Sequence, residues 1–119
     1  MSKVLVVDDS ATEIFQFKDI LENLGHEVIT AENGSEGVEK AISHLPDLVL
    51  MDVVMPGMNG FQATRKICKG AETKHIPVVI VSSKDQETDK VWGVRQGAKG
   101  YITKPVDRQE LIAVINKLL

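Results

Sequence analysis

Short runs of aliphatic and β-branched residues alternate along this chain with longer stretches in which apolar residues recur every three or four positions, a rhythm that predicts repeated strand-helix units. The spacing predicts strands over Lys3–Asp8, Glu27–Ala31, Asp47–Asp52, Pro77–Ser82 and Gly100–Thr103. Three of them carry unbroken apolar runs, Val4-Leu5-Val6-Val7, Leu48-Val49-Leu50-Met51 and Val78-Val79-Ile80-Val81, as central parallel strands covered on both faces require. The other two belong nearer the edges. Between the strands, Ile14, Phe17, Leu21 and Leu24 repeat at helical spacing, with Gly25 as a stop. Ser35 is placed to cap a second helix whose inner face carries Val38, Ala41 and Ile42. In the fourth helix Val91, Val94 and Ala98 define the expected buried stripe, leaving Trp92 partly exposed. Asp107 and Glu110 have the spacing of a capping box for the last helix, whose stripe is Leu111, Val114, Ile115 and Leu118. Five such units predict the α/β class: a doubly wound, five-stranded parallel sheet with five helices on both faces and right-handed crossovers.

A length of 119 residues fits one domain, 1–119, with no separate output domain. With 14 Lys and Arg against 17 Asp and Glu, the net charge of -3 gives no electrostatic reason to expect nucleic acid or an anionic membrane as partner. The single cysteine, Cys68, excludes an internal disulfide and a cysteine-rich zinc site, and it suits a reducing, cytoplasmic compartment. The apolar run at residues 4–7 is far too short for a signal-peptide core or a membrane span. His26, His44 and His75 lack the spacing of metal ligands.

In open parallel sheets, ligands bind beyond the carboxyl ends of the strands. The residues at those ends are Asp8 and Asp9, Asp52, Ser82 and Ser83, and Lys104. Any one of the aspartates is explained by the turn preference of Asp. Their joint arrangement points to chemistry. Carboxylates about 4 Å apart repel by roughly 4 kcal/mol per pair at an effective dielectric near 20, so the group needs a cation. Mg2+ suits it, because that ion takes one or two carboxylates, keeps several waters and bridges to phosphates. Lys104 and Ser82 add a mobile positive charge and a hydroxyl donor for phosphoryl oxygens. Asp52, ending a wholly apolar run, is the candidate nucleophile, since an aspartate can take a phosphoryl group to form an acyl phosphate.

The stretches Val7-Asp8-Asp9-Ser10, Leu50-Met51-Asp52-Val53-Val54-Met55-Pro56-Gly57-Met58-Asn59-Gly60, Ile80-Val81-Ser82-Ser83 and Gly100-Tyr101-Ile102-Thr103-Lys104-Pro105 together resemble the receiver domain of two-component response regulators, the CheY-like family. The resemblance implies a flavodoxin-like strand order 2-1-3-4-5. It also implies that Asp52 is phosphorylated, that Asp9, Asp52 and the Val54 carbonyl bind Mg2+ with Asp8 acting through water, and that Ser82 and Lys104 contact the phosphoryl group. On the same ground the Lys104-Pro105 bond is expected to be cis, Val54 and Lys84 to tune the phosphoryl lifetime, and Ser82 and Tyr101 to form a switch. Such a protein is a signalling switch and not an enzyme in the usual sense, catalysing only its own phosphotransfer and dephosphorylation. The stretches Asp9-Ser10-Ala11-Thr12-Glu13, Gly60-Phe61-Gln62-Ala63-Thr64-Arg65 and the segment from Lys84 to Ala98 are similar to PilH-type single-domain receivers, which serve type IV pilus twitching motility. That likeness implies phosphate from a CheA-like sensor histidine kinase. It also implies a downstream protein target, with the pilus motor or its regulators as candidates, or a role as phosphate sink.

Chemotaxis or another single-domain receiver role is the nearest alternative. An aspartyl-nucleophile phosphohydrolase of the haloacid dehalogenase type needs an acid two residues after its nucleophile, and here that position is Val54. A flavodoxin-like cofactor carrier needs a phosphate-cradling loop where this chain has Asp8-Asp9. A non-phosphorylated docking domain would not need every chemical position filled.

Overall fold

Strands β1 (Lys3–Val7), β2 (Glu27–Ala31), β3 (Leu48–Met51), β4 (Val78–Ser82) and β5 (Gly100–Thr103) form one parallel sheet in the order β2-β1-β3-β4-β5. They alternate with helices α1 (Ala11–Asn23), α2 (Gly34–His44), α3 (Gly60–Lys69), α4 (Glu87–Arg95) and α5 (Arg108–Leu118). The computed structural model describes residues 2–119; Met1, where the expected domain begins, lies outside the described residues. No helix among the described residues is long and apolar enough to cross a membrane.

Alternation along each strand divides the core into two layers. Val4, Val6, Leu48, Leu50, Val79 and Val81 pack with Phe17 and Leu21 of α1 and Leu111 and Ile115 of α5. Leu5, Val7, Val49, Met51 and Val78 turn the other way, onto Ala41 of α2 and Ala63 and Ile67 of α3. This explains why the three apolar runs show no polar alternation: both faces are covered. The edge strand β2 is only partly buried along most of its length.

Several local expectations are corrected. Asn33, not Ser35, caps α2: its backbone is extended and its side chain accepts from the Glu36 amide at 2.8 Å. Ala41 is buried, but Ile42 is 46% exposed and does not belong to the inner face. Asp107 does cap α5, yet it accepts from the Gln109 amide, so Glu110 completes no capping box. The largest revision concerns α4, where Val91 and Val94 are 51% and 65% exposed, although Ala98 is buried. The buried position of that helix is Gly93, where a Cβ would meet Ile80 at 2.9 Å and the Tyr101 ring at 3.2 Å. Close approach through a glycine turns that side inward, and a helical step of about 100° per residue carries Val94 outward. Trp92 is half exposed, matching the expectation for it.

Candidate functional site

Register brings the polar strand ends together. Val7 pairs with Met51, so the next residues, Asp8 and Asp52, emerge side by side, with the Asp52 amide donating to the Val7 carbonyl at 2.9 Å. On the other side Ser82 pairs with Thr103, and the Lys104 amide donates to the Ser82 carbonyl at 2.8 Å. The Lys104-Pro105 bond is cis.

The side chains converge on a cavity of about 470 Å3 lined by Asp8, Asp9, Glu13, Asp52, Ser83 and Lys104, among others. Carboxylate oxygens of Asp8, Asp9 and Asp52 lie within 4.8 Å of one another, a donor set that fits a hard divalent cation such as Mg2+. The Lys104 ammonium stands among these acids, 3.0 Å from Asp8 Oδ2 and 3.4 Å from Asp52 Oδ1, and it also pairs with Glu13. Val54 lies on the cavity wall, 58% exposed, and shares a neighbouring cleft of about 380 Å3 with Lys84 and Trp92. Ser82 is wholly buried, and its hydroxyl accepts from the Lys84 amide at 3.2 Å, so in this state Ser83 and not Ser82 lines the acidic cavity.

Electrostatics follow the geometry. Burial pushes the Asp52 carboxyl above its ordinary range, the charge of Asp8 pushes it further, and Lys104 only partly restores it. Asp8 is raised by burial and by Glu13, against the opposing pull of the Ser10 amide and Lys104. Burial alone would lower the Lys104 ammonium, but its hydrogen bonds to Glu13 and Asp8 and the charge of Asp52 hold it above its usual value.

Glu13 is the residue that strand-end reasoning missed. A signal was available, for Glu13 precedes Phe17 and Leu21 by one and two helical turns and so stands at the partly exposed end of the inward stripe of α1, where a carboxylate gains from a nearby cation. Tyr101 lies on β5 beside Ile80, and its hydroxyl donates to the Lys84 carbonyl at 2.6 Å, tying the strand to the loop after β4. Burial raises the Tyr101 phenol, with nearby acids adding to the effect. Removing this one hydrogen bond with Tyr101→Phe should lower stability by about 1 kcal/mol in denaturant titration, and an unchanged midpoint would show that the bond contributes nothing.

The chain matches the model of the response regulator receiver domain over residues 4–116. Among curated proteins it is 59% identical to Protein PilH of Pseudomonas aeruginosa over 119 residues, covering all of this chain and 98% of that protein. It is 38% identical to Response regulator PleD of Caulobacter vibrioides over 117 residues, spanning 98% of this chain but only 26% of PleD. Among solved structures, the Vibrio cholerae chemotaxis protein CheY4 superimposes with a TM-score of 0.93 at 31% identity, covering 100% of this chain and 99% of that one.

Proposed function

Since the chain belongs to the response regulator receiver domain family, we propose that it is a signalling switch that takes a phosphoryl group on Asp52. The observation that carries this reading is the placement of the buried Asp52 carboxylate beside Asp8 and within 3.4 Å of the Lys104 ammonium, on an open cavity at the carboxyl edge of the sheet. The donor is the phosphohistidine of a CheA-like sensor kinase. An Asp52 oxygen attacks phosphorus, the new O–P bond forms as the P–N bond breaks, and the imidazole leaves with a proton taken from water. Mg2+ held by Asp8, Asp9, Asp52 and the Val54 carbonyl would supply positive charge for the phosphoryl oxygens. Lys104 pairs with those oxygens, and Ser82 donates to them once its hydroxyl leaves the Lys84 amide.

Phosphorylation adds about -1.5 to -2 charge at this edge. Ser82 moving toward that charge frees the Lys84 amide, and the Lys84 loop also holds Tyr101, so one shift reaches β5 and the exposed side of α4. A downstream protein reads this change, and the likeness to PilH makes type IV pilus motility the process concerned, within the cytoplasm. The test is intact mass after incubation with acetyl phosphate. One phosphoryl group should be gained with Mg2+ and none with a chelator, and borohydride reduction should mark residue 52. Failure to gain it under conditions that phosphorylate another receiver would end this reading.

Val54 and Lys84 border the approach to Asp52 and set the lifetime of the acyl phosphate. Val54 has no side-chain group to orient a hydrolytic water. Val54→Asn should therefore change the autodephosphorylation rate by up to about 100-fold, the low end of general acid-base effects, while changing phosphorylation less. Equal effects on both rates would contradict this role.

A further inference from the structure

One ammonium serves three carboxylates. Lys104 is hydrogen-bonded to Asp8 and Asp52 and paired with Glu13, and its side chain is only 13% exposed. Asp8 and Asp52 belong to the oxygen cluster that suits a divalent cation, whereas Glu13 does not. A cation bound to that cluster would take two of the three partners from Lys104 and repel its charge. Glu13 is then the remaining acid, among the described residues, with which the structure pairs Lys104.

The surroundings give the ammonium somewhere to go. Glu13 and Lys104 line both the acidic cavity and a second cavity of about 180 Å3 bordered by Gln16, Phe17 and Ile20 of α1 and by Pro105 and Val106. The pair thus forms the wall between two open spaces, with Glu13 on the α1 side. Its side chain is 34% exposed, against 3% for Asp8 and 8% for Asp52, so its carboxylate is the one that remains well hydrated without a metal.

We propose that Glu13 is the positioning residue for Lys104: it draws the ammonium away from Asp8 and Asp52 when these take the divalent cation, and keeps it within reach of the phosphoryl group arriving on Asp52. This deepens the function proposed above and rests on it. With glutamine at position 13 the ammonium settles on Asp8 and Asp52 and competes with Mg2+ for their oxygens.

The experiment is a calorimetric Mg2+ titration of four proteins: wild type, Glu13→Gln, Lys104→Met and the double variant. Glu13→Gln should weaken Mg2+ binding by roughly three- to tenfold in the wild-type background, a coupling usual for side chains in contact, and by less than about twofold when Lys104 is already methionine. The same weakening in both backgrounds would mean that the charge of Glu13 acts directly on the ion, and no weakening in either would mean that it positions nothing. Both results overturn the proposal. A second reading needs no metal and no Lys104 variant. The 15N resonance of the Lys104 ammonium should shift in metal-free Glu13→Gln, and an unchanged resonance overturns the proposal. Wild type that binds no Mg2+ and gains no phosphoryl group would instead defeat the function proposed above, while the ammonium resonance still decides the contact.

Discussion

Asp52→Asn is expected to gain no phosphoryl group from acetyl phosphate at any Mg2+ concentration, and to be more stable than the wild type at neutral pH without metal. The first effect is total because an amide lacks the anionic oxygen that attacks phosphorus. The second follows from the site. Asp52 is 7% exposed and its carboxyl is held above the ordinary 3.8 by burial and by Asp8, with Lys104 opposing. A carboxylate repulsion and a carboxylate-ammonium attraction near 4 Å are each about 4 kcal/mol at an effective dielectric of 20, so they largely cancel and the burial penalty remains. Because the folded state binds this proton more tightly than the unfolded chain, the penalty is fully present above the raised folded value and disappears as pH falls below 3.8. Asparagine removes it, which should raise stability at pH 7 by on the order of 1 kcal/mol, the advantage shrinking toward pH 4. Thermal melts of both proteins in chelator at the two pH values measure this. A variant that still gains the phosphoryl mass, or melts lower at pH 7, would contradict the assignment. A higher melting point for the variant at pH 7 would mean that the site holds the Asp52 carboxylate at the expense of the fold, as functional sites often do.

Gly60→Ala is expected to damage fold and site together. Gly60 opens α3, and its amide donates to the Val53 carbonyl at 2.9 Å. A Cβ there would stand 1.9 Å from the Asp52 carbonyl oxygen and 2.7 Å from both the Asp52 carbonyl carbon and Val53 Cα. All three atoms are backbone, so no side chain can rotate away; either α3 or the loop after β3 must move. The destabilisation should reach about 3 kcal/mol or more, the upper range for overpacking, in a protein whose total stability is of order 5–15 kcal/mol. The backbone that meets this Cβ is that of Asp52, and a shift of about 1 Å there can lower a rate about 100-fold, so phosphorylation should fall beyond what the unfolded fraction explains. Gly57→Ala is the control. Gly57 has φ +74 but a Cβ added there would meet nothing within 4 Å, so only the left-handed backbone is strained, at roughly 1–2 kcal/mol. Equal chemical-denaturation midpoints for the two variants would show that the close approach at Gly60 is relieved without consequence.

The apolar runs at residues 4–7, 48–51 and 78–81 are legible in the chain because a strand covered on both faces tolerates no polar alternation. The aspartates, Ser82 and Lys104 are legible as strand-end residues for the same reason, since each closes or follows such a run or its edge counterpart. Cap positions are less legible: Asn33 and Ser35 are two residues apart and chemically equivalent as caps, and only the extended backbone at Asn33 separates them. The facing of α4 is hidden because valines at positions 91 and 94 look like core, whereas the contact is made by an absent side chain at Gly93.

Local propensity and hydrophobic period are properties of consecutive residues, and by themselves they determined the strand-helix alternation, the central strands and the set of polar groups at the carboxyl edge. Distances between groups far apart in the chain are set by strand register and helix packing. Tertiary structure alone therefore decided that Asp8 and Asp52 stand side by side, that Ser82 in this state faces the Lys84 loop, and that Glu13 reaches across from α1 to share the ammonium of Lys104, 91 positions away.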